Sequence, residues 1–220
     1  MKLISDIEIK NILKNLKVEQ SIAGGSVANS IVGLSHLKND VAFIGKINDD
    51  TFGKMYEESL ILKDVNYYYK KKKEEFPTGV CIVLITPDAE RTMCTHLGVA
   101  GKISEKDINE KAIKNSEITF LEGYLWDKGD PKKAFDKAIS LSNKSVMSLS
   151  DKFCVDRHKA NFLELVKYKL DIIFANEQEI MSLIDAKSFA DVIEFGKSLN
   201  KILVITVSYT HLTLPTICSV

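Results

Sequence analysis

The sequence predicts an α/β fold: a mostly parallel sheet covered by helices on both faces, with a small antiparallel excursion beside it. Three observations carry this expectation. From residue 104 onward, short apolar runs alternate with helical patterns, the rhythm of parallel strands joined by crossover helices. Residues 65–97 break that rhythm with closely spaced β-rich runs and a Pro87-Asp88 turn. The chain is 220 residues long, 45% hydrophobic and 27% charged, which is enough chain and the right composition for a globular core.

Taken in order, Ile9, Ile12, Leu13 and Leu16 give residues 7–17 helical spacing. Gly24-Gly25 break the chain, and Ser26 caps a second helix carrying Ala28, Ile31, Val32 and Leu34. Residues 41–45 form a short apolar strand, and the polar turn 48–50 caps a helix over 51–62. Strands follow at 65–69, 79–86 and 92–97. Beyond them Ser104 caps a helix running through Ala112 and Ile113, and 118–121 is a strand. Pro131 opens a helix through Ile139, before a strand at 146–149. A helix around 162–166 precedes the strand 172–175, Asn176 starts another helix, and a last helix over 189–199 leads to the strand 202–206.

Lys plus Arg and Asp plus Glu balance at 30 each, so no global field draws the chain to nucleic acid or an anionic membrane. No apolar run approaches the roughly 20 residues of a membrane helix, and the first residues lack a signal-peptide core. Cys81, Cys94, Cys154 and Cys218 are far apart in sequence, without metal-ligand spacing. They are expected to be thiols of a reduced, cytoplasmic protein. No Asp, Glu, Lys or Arg follows Lys201, where about five would be expected at average composition. A buried strand explains residues 202–206, whereas 207–220 are expected to be a non-native tail.

Ligands of open α/β sheets bind at the carboxyl ends of strands, so the loops there carry the candidate chemistry. Gly24-Gly25 let backbone N–H groups approach a ligand, and Asn29 offers a donor and an acceptor to a hydroxyl pair; a tight turn into a helix is the plainer account. In the loop 45–53, Asp50 caps the following helix, with or without a ligand nearby. Asn176 and Glu179 open a helix directly after a strand, a place to hold phosphate oxygens and a hydrated cation, or simply a negatively charged first turn. Arg91 and Thr92 either reach an anionic ligand or stay exposed on their strand. Trp126, the only tryptophan, stacks on a planar base or is a half-buried loop aromatic. Asp151 lines the same edge or caps a helix. The tyrosines before Lys70–Lys73 mimic a nucleic-acid patch, but a solvated hairpin edge fits the zero net charge better. His36, His96, His158 and His211 suggest no triad and no metal site.

In this order the loops resemble the ribokinase-like (PfkB-type) sugar and nucleoside kinases. The matching features are Gly24-Gly25 with Asn29, Gly45 with Asp50-x-x-Gly53, and Asn176-x-x-Glu179. Pro77-Thr78-Gly79, Glu90-Arg91-Thr92-Met93 and Gly123-Tyr124 add to them, and the stretches 122–127 and 149–151 look most like bacterial adenosine kinases. The resemblance implies a three-layer ribokinase-like fold over residues 1–206, incomplete, with the strands of 65–97 as a small β lid. It implies an ATP- and Mg²⁺-dependent kinase of adenosine, another nucleoside or a sugar, with homodimerisation through the lid. Gly24, Gly25 and Asn29 would contact acceptor hydroxyls, Asn176 and Thr206 the nucleotide phosphates, and Glu179 the metal. Val27, Ile31 and Asn48 depart from the usual residues, which bears on acceptor fit. The family's catalytic aspartate lies in a Gly-Ala-Gly-Asp segment after the strand matching 202–206. No glycine follows Gly196, so this chain is expected to lack that base and to be inactive. A non-catalytic protein that binds a nucleoside is the alternative from another class.

Overall fold

The computed structural model describes residues 2–69, 72–126 and 129–207. Of the lysine run only Lys72 and Lys73 are among them. Asp127, His211, Cys218 and all of the suspected tail except Val207 lie outside the described residues. The chain forms two compact units, Met1–Asn109 with Gly129–Ala134, and Glu110–Lys128 with Phe135–Val220.

The first unit contains β1 (Lys2–Leu3), α1 (Asp6–Lys14), α2 (Ser26–His36), β2 (Ala42–Phe43), α3 (Thr51–Ile61), β3 (Asn66–Tyr67), β4 (Val80–Ile85) and β5 (Arg91–His96). β4 and β5 form the expected antiparallel hairpin, from Val80 opposite His96 to Ile85 opposite Arg91. β1 joins β5 in parallel, giving the sheet order β1-β5-β4. Side chains alternate across a strand, so Val80, Ile82 and Leu84 point to one face, where they pack with Ile4, Ile9, Ile12, Leu13 and Cys94. The other face leaves Cys81, Val83, Ile85 and Met93 exposed. β2 and β3 pair in parallel, and a separate core of Ala28, Val41, Leu60 and Val65 gathers Ile31, Val32, Phe43, Tyr56 and Tyr67 around it.

The second unit contains α4 (Glu110–Asn115), β6 (Thr119–Glu122), most of α5 (Asp130–Leu141), β7 (Ser145–Ser148), α6 (Lys152–Glu164), β8 (Ile172–Asn176), α7 (Glu177–Ile184), α8 (Phe189–Leu199) and β9 (Ile202–Thr206). Its four strands run β6-β7-β8-β9, all parallel, as the alternating pattern predicts. Met147 and Ile173 are register neighbours in the middle of this sheet, and both are fully buried.

Four elements differ from expectation. β3, read as part of the antiparallel excursion over 65–97, pairs in parallel with β2 in a separate sheet, which leaves β4 and β5 as the hairpin. Ser104 caps only a short 3₁₀ turn, Glu105–Asp107, before α4 begins. α6 starts ten residues before the helix read near 162, after its N-cap Asp151, and passes into a π turn at Leu165–Lys169. Its buried stripe is Cys154, Val155, His158 and Phe162, so a histidine fills a position that the pattern counts as polar. Lys2 and Leu3 form a strand too short to leave any periodicity.

Candidate functional site

In the first unit, Gly24 and Gly25 lead into α2. Gly25 is the N-cap at φ 112° and ψ 139°, a backbone region that side chains rarely adopt. No side chain caps this helix, so its first amides are left for solvent or a ligand. Nothing lies within 4 Å of a Cβ built on Gly24, and both glycines and Asn29 are exposed. The backbone N–H of Asn29 donates to Gly25 O at 2.9 Å, which fixes the asparagine one turn above the glycine pair.

Asp50 is the N-cap of α3, accepting from the Gly53 N–H at 2.8 Å. The plainer account of its place in the sequence is therefore correct, although the carboxylate also reaches Thr78. Arg91 and Thr92 are exposed on β5.

In the second unit, the carboxyl ends of β6 to β9 form one edge. Asn176 ends β8 directly opposite Thr206, which ends β9, while Glu122 ends β6 opposite Ser148 at the end of β7. Asn176 and Glu179 form a reciprocal cap on α7. The Asn176 side chain accepts from the Glu179 N–H at 2.8 Å, and the Glu179 carboxylate accepts from the Asn176 N–H at 3.0 Å and its Nδ2 at 2.7 Å. Glu179 is only 5% exposed. Burial raises its pKa above the usual carboxylate value, the backbone bond from Asn176 works against this, and the Asp151 carboxylate adds to it.

Asp151 caps α6 by accepting from the Phe153 N–H at 2.8 Å, directly after Ser150 at φ 75°. Burial pushes the Cys154 thiol up to about 11; Arg157 opposes this, while Asp151, Glu122 and Glu179 reinforce it. Burial also raises the Tyr124 phenol, again with Asp151, Cys154, Glu122 and Glu179 contributing. One neighbourhood thus holds three carboxylates beside the starts of α6 and α7. Among the described residues no three acidic, histidine or cysteine side chains converge closely enough to hold a metal ion by themselves. Mg²⁺ needs only one or two carboxylates, since water and phosphate complete its shell.

The structure therefore groups Asn176, Glu179 and Thr206 on one strand edge, and Gly24, Gly25 and Asn29 at one helix start. Trp126 takes neither of the places read for it. It is 1% exposed and packs edge-on against His158 and Phe162, with ring centroids 4.6 and 5.7 Å away, so the indole belongs to the core and offers no platform to a base. Sequence reasoning passed over Glu122 and Cys154 as members of the strand-edge cluster. Their signal was position alone: each lies within a few residues of a strand end.

A family profile for pfkB family carbohydrate kinases matches residues 6–211. The adenosine kinase of Sinorhizobium meliloti is 30% identical and superposes with a TM-score of 0.87, over 94% of this chain and 65% of that one. A probable sugar kinase of Rhizobium etli CFN 42 is likewise 30% identical, with a TM-score of 0.88 over 94% of this chain and 64% of that one. The 5-dehydro-2-deoxygluconokinase of Clostridium botulinum is 30% identical over 142 residues, which are 63% of this chain and 42% of the relative. The chain thus spans less than two thirds of the length of each of these three relatives. Both superpositions extend over the mostly parallel α/β architecture and support the ribokinase-like fold.

Proposed function

This chain belongs to the pfkB family of carbohydrate kinases, and on that premise we propose that it serves an ATP-dependent phosphotransferase acting on the hydroxymethyl group of a ribonucleoside or sugar, with adenosine the first acceptor to test. The observation that carries the reading is the Asn176–Glu179 reciprocal cap at the carboxyl edge of a parallel sheet, with Thr206 on the neighbouring strand end. Strand ends and helix starts favour phosphate, and a buried carboxylate held ready by two hydrogen bonds favours a cation.

In this reading Gly24, Gly25 and Asn29 hold the acceptor's hydroxyls, Asn176 and Thr206 hold phosphate oxygens, and Glu179 orients Mg²⁺ directly or through water. Bound Mg²⁺ neutralises charge on the phosphate oxygens. In the transfer this reading implies, the acceptor oxygen would attack the γ-phosphorus in line as the bond to the ADP oxygen breaks, and the acceptor's proton would pass to a base that none of the residues named above supplies. These 220 residues contain no Gly-Ala-Gly-Asp segment, and the purified polypeptide is expected to bind acceptor without turning it over; ATP-dependent phosphorylation of adenosine by it would overturn that expectation.

The binding test is calorimetric titration of the chain with adenosine. Saturable binding is expected, weakened about tenfold or more by Asn29→Ala, which removes a donor and an acceptor from the hydroxyl pair. A sugar or sugar-acid acceptor is the second reading. Burial of Trp126 favours it by removing the aromatic platform that a base would use. Sugar-acid binding with no response to adenosine would establish this second reading, and silence with every acceptor would remove both.

The hairpin β4–β5 is the lid in this proposal, and its exposed apolar face supports a homodimer formed through it. Cys81, Cys94 and Cys154 are free thiols, which suits a cytoplasmic protein. Among the described residues no helix is long and apolar enough to cross a membrane.

A further inference from the structure

We infer that the loop 46–50 is a clasp on the root of the β4–β5 hairpin, with Asp50 and Thr78 as positioning residues that seat the root of that arm. The inference deepens the reading above, in which the hairpin is the lid, and it rests on the first unit alone.

Every second residue of the loop engages the strap 74–78, through which the chain enters β4. Lys46 Nζ lies 3.6 Å from a Glu74 carboxylate oxygen, and the lysine side chain is only 11% exposed. The Asn48 amide grips the strap's backbone, accepting from the Glu74 N–H at 2.8 Å and donating to Phe76 O at 2.9 Å. Asp50 accepts from both the N–H and the hydroxyl of Thr78, at 2.8 and 2.7 Å. The Thr78 hydroxyl in turn accepts from the Asn48 N–H at 2.9 Å, and Thr78 is 5% exposed.

Capping explains only part of this. An N-cap needs one bond to its helix, and the Gly53 N–H supplies it. The other two bonds to Asp50 go to Thr78, outside the helix, and contribute nothing to capping. Their effect is to tie the start of α3 to the start of β4. Asp50 stays ionised to match: burial raises its pKa, and the bonds from Thr78 and Gly53 overcome that and leave it below the ordinary value.

The second strand is locked at the same point. Pro77 O accepts from the Val99 N–H at 2.9 Å. A Cβ on Gly98, at φ 52°, would lie 2.1 Å from Pro77 O, and one on Gly79 would lie 2.7 Å from Leu97 O. Asn48 O passes equally close to Gly53, where a Cβ would stand 2.0 Å away. Both strands of the hairpin are therefore seated at their root. The far end holds only local bonds, Thr86 N–H to Glu90 O and Ala89 N–H to Thr86 O. The root is seated at Thr78, while β1 beside β5 and the α1 residues on one face hold the arm farther along.

The test is hydrogen exchange on the full chain, comparing wild type with Thr78→Val, Thr78→Ser and Asp50→Asn. Thr78→Val keeps the shape and removes the hydroxyl. It is expected to speed exchange at 79–82 and 94–99 on the order of tenfold while leaving β6–β9 at the wild-type rate, because two half-buried partners, Asn48 and Asp50, lose their bond. Thr78→Ser, which keeps the hydroxyl, should restore the wild-type pattern. Asp50→Asn should loosen the same segments. Unchanged exchange at the hairpin root in Thr78→Val, or equal acceleration throughout the chain, overturns the clasp. If Asp50→Asn fails to fold, the Val/Ser pair still decides. Phosphoryl transfer and acceptor binding are measured separately, so failure of the kinase reading leaves this result standing.

Discussion

Glu179 shows how far one side chain can be read before a structure exists. Its place three residues after Asn176, at a helix start, marks it as a cap and a candidate metal anchor. Its near-complete burial and the Asp151 carboxylate acting on it come from tertiary packing, which no local spacing records. The raised pKa has a definite consequence. A group that binds its proton more tightly when folded adds stability below its unfolded pKa of about 4.3, and that stability is lost as pH rises through the folded value. Glu179→Gln keeps a capping side chain and removes the charge. Melting temperatures followed from pH 4 to 8 should fall less for this variant than for wild type, and at pH 7 the variant should melt higher. Metal-dependent nucleotide binding should weaken in the same protein. Gly24 and Gly25 divide in a similar way. The sequence presents them as a pair, and only the φ of 112° at Gly25 separates them. Gly25→Ala should cost about 1–3 kcal/mol by urea unfolding, whereas Gly24→Ala, with open space around it, should leave stability within about 0.5 kcal/mol and act on acceptor binding alone.

At the level of elements, legibility followed the number of apolar residues on the buried face. β6 to β9 were found because each contains a short apolar run. Only β7 is buried nearly throughout, while β8 leaves Phe174 exposed and β9, expected to be a buried strand, leaves Ile202 exposed. α6 was found only at its end, since its stripe includes His158 and Cys154, and His158 packs among Trp126 and Phe162 where an aliphatic residue would be expected. The same aromatic group withdraws Trp126 from the loop surface, and a six-residue motif cannot show that. The β4–β5 hairpin was legible as an antiparallel excursion; the clasp beneath it was not, because its partners are about 30 residues apart. Its outer face carries Ile85 at 70% exposure and Val83 at 48%, opposite Arg91 and Met93. If this face joins two copies, Val83→Lys with Ile85→Lys should convert a dimer to a monomer by sedimentation without altering the melting temperature by more than a few degrees. A wild-type chain that sediments as a monomer at all concentrations would dismiss the dimer.

For the molecule as a whole, the succession of elements was clear from the sequence, and the division into two compact units was not. Every strand of the second unit pairs with a sequential neighbour, so its topology follows from chain order. The first unit breaks that rule at one place. β1, only two residues long, sits beside β5, and the same junction is held by a contact between His96 and Ile4 O across 92 residues of sequence. During synthesis β1 emerges about 90 residues before the strand that receives it. Lys2 and Leu3 must wait, unpaired, until the hairpin that receives them has been synthesised, a delay of roughly 5–20 s at ordinary elongation rates. Their brevity and the capped helix that follows them suit a segment that must stay harmless during that interval and then dock in a single step.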